Sequence, residues 1–211
     1  MKHNIMLKKC IAALAGIFLV GVGVAFNAMA HLGNDSVGIF YDGIRNALGL
    51  SQVQLGMASN IVNLSIVVLL FFIGRKFVNI GTFIYLIPYG FFVDLGTKIY
   101  LMIFKEQIFA LQVMAVIIGC FFIFFGVAIY IAMDIGVDPM TGLALWLGEK
   151  LKMEYKKAKV IFDLTLTVVG FLLGGKLGVV TIVASLIAGP IIQKFKEWIL
   201  ILTTEKMKLF E

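Results

Sequence analysis

Charged residues are scarce in this chain of 211 residues: only 14% are Asp, Glu, Lys or Arg, against about 25% in a typical soluble domain. Histidine and cysteine occur only twice each. With so few ligand-forming side chains there is no zinc or redox spacing, and we expect no metal and no cofactor. The motifs H-E-x-x-H and G-x-S-x-G and the phosphate loop are missing as well. The sequence therefore predicts that the protein is not an enzyme.

Apolar residues are abundant, at 61% of the chain, and several apolar runs reach the roughly 20 residues needed to cross a bilayer. The net charge of +6 comes from Lys and Arg at the ends of these runs, as the positive-inside rule expects. This distribution argues against a nucleic-acid partner. The sequence predicts an all-α polytopic membrane protein. Residues 1–211 are expected to form a single domain that is embedded in the lipid bilayer.

Six apolar runs are predicted to be transmembrane helices, at about 10–30, 55–73, 77–95, 108–133, 158–173 and 177–198. The first follows a basic N-terminus and ends in Ala-Met-Ala, which is also typical of a signal peptide. Its length, about 21 residues, instead favours a transmembrane helix. The basic segment 199–211 is predicted to be a cytoplasmic tail.

Two segments of mixed polarity, at 36–49 and 138–151, are predicted to be short amphipathic helices. Their apolar stripes occupy matched positions, 103 residues apart: Val37, Phe40, Tyr41, Ile44 and Leu48 in the first, and Met140, Leu143, Ala144, Leu147 and Leu151 in the second. Such a helix lies on the membrane surface or enters the membrane part-way. Periodicity does not decide between these two placements.

The matched stripes belong to a longer internal repeat. Gly16 and Gly23 recur as Gly119 and Gly126, again 103 residues later, and Gly-Asn-Asp at 33–35 is echoed by Gly-Val-Asp at 136–138. We therefore predict two copies of one unit, at about 10–98 and 108–198. Three spans per copy place the copies in opposite orientations, and inverted repeats are typical of transporters.

The orientation follows from the distribution of basic residues. If the N-terminus is inside, fourteen Lys and Arg residues fall on the inner side, and only Arg45, Lys98, Lys105 and Lys176 fall outside. Because short cytoplasmic loops carry the excess of Lys and Arg, we predict a multi-pass protein of the bacterial cell (inner) membrane with both termini cytoplasmic.

The pattern resembles the YczE/YyaS/YitT group of bacterial integral membrane proteins, and within it the YczE-like branch. The resemblance is carried by Gly-Val-Asp-Pro-Met-Thr at 136–141, Gly-Gly-Lys-Leu-Gly-Val-Val-Thr at 174–181 and Ala-Gly-Pro at 188–190. It covers about residues 12–197. This resemblance implies a small multi-spanning membrane protein, with no cofactor and no known reaction.

Asp35 and Asp138 are the first candidates for a solute or ion site, since each stands at the start of a predicted short helix. Asp is also a preferred N-cap residue, so capping alone explains both, and the two roles are compatible. The functional interpretation is that both turns enter the membrane and meet between the repeats, as half-helices do in carriers.

Asp163 is a carboxylate within the fifth predicted span, where charged groups are costly and often functional. Lys159, four residues earlier, offers a local ion pair instead. We predict Asn60 as its approximate counterpart in the first repeat, with Asn63 one turn further along that helix. Thr82 and Thr181 are matched polar residues early in their helices, either part of the site or contacts at tight helix crossings.

These residues favour a carrier or channel for an unknown small solute or ion, with alternating access to a site between the repeats. Two alternatives stay open: a substrate-binding membrane subunit that works with separate energising proteins, and a membrane assembly or structural factor. A homodimer and a partner membrane protein are both compatible with the small residues on the first predicted span, such as Ala12, Ala13 and Gly16.

Overall fold

The protein is all-helical over the part of the chain that the computed structural model describes, residues 2–106 and 108–208. Two short 3-10 turns, Gln52–Gln54 and Arg75–Phe77, precede the third and fourth α-helices. The α-helices are α1 (Lys2–Ala30), α2 (Ser36–Ala47), α3 (Leu55–Ile73), α4 (Ile80–Ile103), α5 (Phe109–Met133), α6 (Pro139–Lys150), α7 (Tyr155–Leu172) and α8 (Val179–Lys208).

Helix α1 is the centre of the bundle, packed against α5 on one side and α4 on the other. Its inward residues, among them Ala13, Ile17 and Ala25, have no exposed surface. The outer faces of α3 and α4 instead carry exposed large apolar side chains, such as Phe72 and Ile87. Buried small residues inside and exposed apolar residues outside are the arrangement expected of helices that pack in lipid.

Helices α1 and α5 cross in close backbone contact at four glycines. A methyl group on Gly16 would lie 2.7 Å from the carbonyl oxygen of Gly126, and one on Gly126 would lie 2.5 Å from that of Gly16. Gly23 and Gly119 face each other in the same way: a methyl group on Gly23 would lie 2.5 Å from the carbonyl oxygen of Gly119, and one on Gly119 would lie 2.9 Å from that of Gly23. Only glycine allows two backbones to approach this closely. The earlier glycine of each helix thus meets the later glycine of the other, so the two helices run antiparallel.

After α1 the chain turns back into the bundle. The Asn34 side-chain amide donates to the carbonyl of Val24 at 3.2 Å, and both groups are buried. Val24 lies six residues before the end of α1, which is about 9 Å of helix rise. Helix α2 then runs beside α7, and the Asn46 amide donates to the carbonyl of Leu173 at 3.0 Å. The N-terminus of α2 therefore lies inside the bundle and its C-terminus lies near the end of α7.

Helix α6 has the corresponding position beside α3. The Trp146 indole donates to the carbonyl of Ile73, the last residue of α3, at 2.9 Å. Asp138, at the start of α6, lies eight residues before Trp146, or about 12 Å along the helix. The N-terminus of α6 is therefore also inside the bundle.

We expect Trp146→Phe to lower the free energy of unfolding by about 1 kcal/mol, because it leaves the Ile73 carbonyl without its indole donor. The measurement is thermal unfolding of the detergent-purified protein. Trp198→Phe is the matched control, since the half-exposed ring of Trp198 packs on Phe125. Equal stabilities of the two variants would contradict this role for Trp146.

The pair α3–α4 crosses tightly, whereas α8 packs on α5. A methyl group on Gly56 would overlap the carbonyl oxygen of Gly90. The Asn60 side chain accepts the N–H of Gly90 at 3.0 Å, and Asp94 accepts the N–H of Gly56 at 2.7 Å. Gly189, the sequence counterpart of Gly90, has no described atom within 4 Å of a methyl group built on it. Over the described residues, the two halves therefore differ in how their last two helices pack.

Four helices of the described chain are long and apolar enough to cross a membrane: Ile5–Ala30, Gln52–Ile73, Ile80–Ile103 and Phe109–Met133. They confirm four of the six predicted spans in kind, and the third extends eight residues beyond its predicted end at 95. Helix α8 continues to Lys208, so most of the predicted tail at 199–211 is helical, and residues 209–211 lie outside the described residues. Among the described residues no strand occurs, in agreement with the predicted all-α class.

Candidate functional site

Two carboxylates begin the two short helices. Asp35 accepts the N–H of Gly38 at 3.1 Å, and Asp138 accepts the N–H of Thr141 at 3.0 Å. Both aspartates have the extended backbone of an N-cap, and Pro139 follows at the first position of α6. The predicted capping role is therefore confirmed. Each cap uses one carboxylate oxygen, and both side chains stay only half-buried.

A cluster of four tyrosines, Tyr41, Tyr85, Tyr89 and Tyr130, packs in the interior near these caps. The rings of Tyr85 and Tyr89 stack with their centroids 4.7 Å apart, and Tyr41 contacts Tyr89 at 6.0 Å. Tyr130 meets Tyr85 edge-on at 5.7 Å. The cluster joins α2, α4 and α5 in the interior of the bundle, which is where a site between two halves would lie.

Asn63 of α3 connects this tyrosine cluster to a further helix. The Tyr41 hydroxyl donates to the Asn63 Oδ1 at 2.9 Å, and both residues are fully buried. The Asn63 Nδ2 has no hydrogen-bond partner among the described residues. A buried polar group without a partner is costly, so this amide is a free hydrogen-bonding position next to the tyrosines.

Both N-cap carboxylates converge on the same two rings. Asp35 and Asp138 each lie within electrostatic range of Tyr41 and of Tyr89. Asp35 begins the helix that carries Tyr41, and Thr82 of α4, the helix of Tyr85 and Tyr89, donates to Val137 just before Asp138. The two helix N-termini, one from each half of the chain, therefore approach a common interior region.

Asp163, on α7, forms an ion pair with Lys159, one turn earlier. This is the local pairing that the sequence offered as an alternative to a functional role. About a third of each side chain is exposed. The charges of both residues also reach Asp35, so the pair lies beside the converging helix starts.

Asn60, Thr82 and Thr181 have backbone partners instead. Asn60 holds the N–H of Gly90 and lines a groove on the outer side of α3 and α4, together with exposed apolar residues. The Thr82 hydroxyl donates to the carbonyl of Val137 at 2.8 Å. Thr181 accepts the N–H of Gly178 at 3.4 Å. Thr82 thus anchors the turn that leads to Asp138, whereas Asn60 faces away from the tyrosine cluster.

The sequence did not single out the tyrosines as site residues, and it placed Asn63 only as the residue one helical turn beyond Asn60. Two signals were present: Tyr85 and Tyr89 are spaced one helical turn apart, which places them on the same face, and Asn63 lies 100 positions before Asp163. The ends of α3 and α7 also match at this offset. The carbonyl of Ile73 accepts a hydrogen bond from Trp146 of α6, and that of Leu173, 100 positions later, accepts one from Asn46 of α2. Asn63, rather than Asn60, therefore corresponds to Asp163 in position.

A second polar cluster lies at the end of α1. The Lys176 Nζ is 3.0 Å from the Nδ1 of His31, and the Lys176 backbone N–H donates to Asp42 at 3.2 Å. Asp42 also pairs with the buried Arg45 at 2.8 Å. Burial lowers the pKa of His31 below its usual 6.5, and the Lys176 charge lowers it further, while Asp42 opposes this shift. An ammonium can donate only to an unprotonated ring nitrogen, so the neutral form of His31 fits this contact.

We expect the stability of the protein to fall as the pH is lowered through His31 titration. Because the folded pKa is below the unfolded value of 6.5, the unfolded state binds more protons between these two values. The stability that the neutral form of His31 contributes to the folded state is fully present above pH 6.5. It is lost as the pH falls through the folded pKa. The comparison is the melting temperature from about pH 7.5 to about pH 5 in wild type and His31→Asn, since Asn tolerates the left-handed φ of 59°. Equal pH slopes would rule this contribution out.

The long apolar helices and their interior polar residues define a helical membrane protein. Within that class, residues 7–197 match a family described as of unknown function (DUF6198), and the chain belongs to this family. The match is compatible with the resemblance to the YczE/YyaS/YitT group, and the YczE-like assignment stays a prediction.

One relative shows how far the similarity extends. An uncharacterized protein of Haemophilus influenzae is 23% identical over 185 residues, which cover 86% of this chain and 80% of the relative. No solved structure matches this chain.

Proposed function

We propose that the protein is a carrier or channel for a small solute in the bacterial inner membrane, with both termini cytoplasmic and the solute site between its two halves. The observation that carries this proposal is the convergence of Asp35 and Asp138 on Tyr41 and Tyr89. In carriers, interrupted helices place their N-termini at a central site in this way. Helices α2 and α6 are then half-helices that enter the membrane from opposite faces.

Matched contacts in the two halves support an inverted repeat. The backbone N–H of Gly81 donates to Ile135 at 3.0 Å, and that of Val180 donates to Leu32 at 3.1 Å. These bonds join the first turn of α4 to the turn before α6, and the first turn of α8 to the turn before α2. At the α1–α5 crossing, Gly16 meets Gly126 and Gly23 meets Gly119. Each glycine thus contacts the repeat counterpart of the other glycine on its own helix, which is the pairing that a two-fold axis between the halves produces.

The differences between the halves support alternating access. In the first half α4 lies tightly on α3 through Gly56 and Gly90, whereas Gly189 of α8 has open space around it in the described part of the chain. A carrier built from two equivalent halves exposes its site to one side when the halves adopt different packings. The structure then corresponds to one of two such states, with the opposite asymmetry in the other.

The test is solute exchange in liposomes that contain the purified full chain. Liposomes loaded with a mixture of small solutes of each charge are incubated in buffer, and the contents of their lumen are quantified by mass spectrometry. We expect at least one solute to leave these liposomes faster than it leaves protein-free liposomes. If every solute is retained equally and the protein co-purifies with an ATPase, the binding-subunit function replaces the carrier.

A further inference from the structure

The charges around the tyrosine cluster do not balance. Two carboxylates, Asp35 and Asp138, lie within electrostatic range of its rings, and a third, Asp163, reaches Asp35 but is paired with Lys159. Among the ion pairs of the described residues, neither Asp35 nor Asp138 has a cationic partner. Each of the two carboxylates is opposed only by the partial positive charge of its own helix N-terminus, and a net negative charge inside a membrane bundle is costly. A ligand of positive charge at this point would lower that cost.

The second observation is an unpartnered hydroxyl at the turn that precedes Asp138. Tyr130 is only 5% exposed, and its hydroxyl has no hydrogen-bond partner among the described residues. A methyl group built on Gly81 would lie 2.9 Å both from this hydroxyl and from the carbonyl oxygen of Ile135. The hydroxyl is thus at the turn that leads into Asp138, and the charge of Asp138 reaches it. A phenol oxygen in this position can accept a hydrogen bond from an N–H or O–H donor.

The third observation is the chemistry of the buried side chains around this point. Tyrosine rings from α2, α4 and α5 pack together there, within electrostatic range of the two carboxylates. Carboxylates with aromatic faces recognise protonated and quaternary amines through charge and cation–π contacts. Inorganic divalent cations require six or more oxygen ligands or a compact donor set, and the described residues contain no such group of three metal-binding side chains.

We propose that the solute of this site is a small monovalent cation of the ammonium type. Asp35 and Asp138 supply the charge, the rings of Tyr41 and Tyr89 supply apolar contact, and the Tyr130 hydroxyl supplies a hydrogen bond. The inference rests on the proposed function because it takes the same interior point as the solute site.

Binding is tested on the detergent-purified full chain by thermal shift. The probes are methylammonium, tetramethylammonium and choline, with 3,3-dimethylbutan-1-ol as the uncharged counterpart of choline. We expect a saturable rise in melting temperature with at least one cation and none with the uncharged alcohol. Asp138→Asn retains the capping oxygen and should weaken the apparent affinity at least tenfold. Asp134→Asn changes an exposed carboxylate at the end of α5 and should leave the affinity unchanged.

Three results would overturn the inference: no shift with any of the three cations, an equal shift with the alcohol, or equal affinities in Asp138→Asn and wild type. The binding result and the liposome exchange result test the inference and the proposed function separately. Cation binding without exchange in liposomes would support the inference and remove the carrier. Asp138-dependent exchange of neutral or anionic solutes alone would support the carrier and remove the inference.

Discussion

Gly126→Leu is expected to lower the free energy of unfolding by about 1–3 kcal/mol or more, because overpacking a core costs roughly that much. Even the first carbon of the new side chain would lie 2.5 Å from the carbonyl oxygen of Gly16. The obstacle is backbone rather than a flexible side chain, so α1 and α5 must separate to make room. Because α1 is the centre of the bundle, their separation also disturbs the packing of α4.

The measurement is the fraction of detergent-purified protein that stays monodisperse after heating. Gly189→Ala is the control, since no described atom lies within 4 Å of the added methyl group. This control should keep or raise stability, because alanine favours the helix over glycine by about 1 kcal/mol. If Gly126→Leu were as stable as Gly189→Ala, the close α1–α5 crossing would be incorrect.

The double variant Asp35→Asn/Asp138→Asn is expected to fold normally and to lose at least nine-tenths of solute exchange in liposomes. Asparagine caps a helix about as well as aspartate, so the bonds to Gly38 and Thr141 can be retained. The negative charges that converge on Tyr41 and Tyr89 are removed. A charged hydrogen bond contributes about 1.5–3 kcal/mol, so removing the charge from each bond to the solute should slow exchange roughly tenfold or more.

The readouts are initial exchange rate and thermal stability, measured on the same preparations. Asp134→Asn, at the exposed end of α5, serves as the charge-matched control and should exchange at the wild-type rate. An active double variant would show that the two aspartates only cap their helices. A variant that is inactive because it is unfolded would be recognised by its lower melting temperature.

Much of the scaffold could be predicted because membrane helices have a strong compositional signal. Long apolar runs predicted α1, α3, α4 and α5, and Asp followed by Pro or Ser predicted where α6 and α2 begin. The matched glycines of α1 and α5 indicated a repeated feature, and the structure shows their role as a backbone crossing. Helices α7 and α8 have weaker apolar character, and over the described residues neither qualifies as a candidate span.

The site was harder to predict because its members are far apart in the chain. Tyr41, Tyr89 and Tyr130 come from three helices, and no local pattern shows that they meet. An amphipathic stripe looks the same on a helix that lies on a membrane and on one that enters it. Only long-range bonds such as that from Trp146 to Ile73 show that the starts of α2 and α6 lie in the interior. The offset of 103 residues between α1 and α5 leads from Asp163 to Asn60 as its first counterpart. The offset of 100 residues between α3 and α7 leads instead to Asn63, one turn further along the helix.

The central claim, that Asp35 and Asp138 lie on one path through the membrane, is tested most directly by side-specific labelling. Asp35→Cys and Asp138→Cys are prepared separately in a background with Cys10→Ser and Cys120→Ser, which removes both native thiols. A membrane-impermeant thiol reagent is applied from each face in turn. We predict that at least one of the two positions reacts from both faces. Reaction of residue 35 only from outside and of residue 138 only from inside would contradict the claim, because the two helix starts would then be interfacial caps.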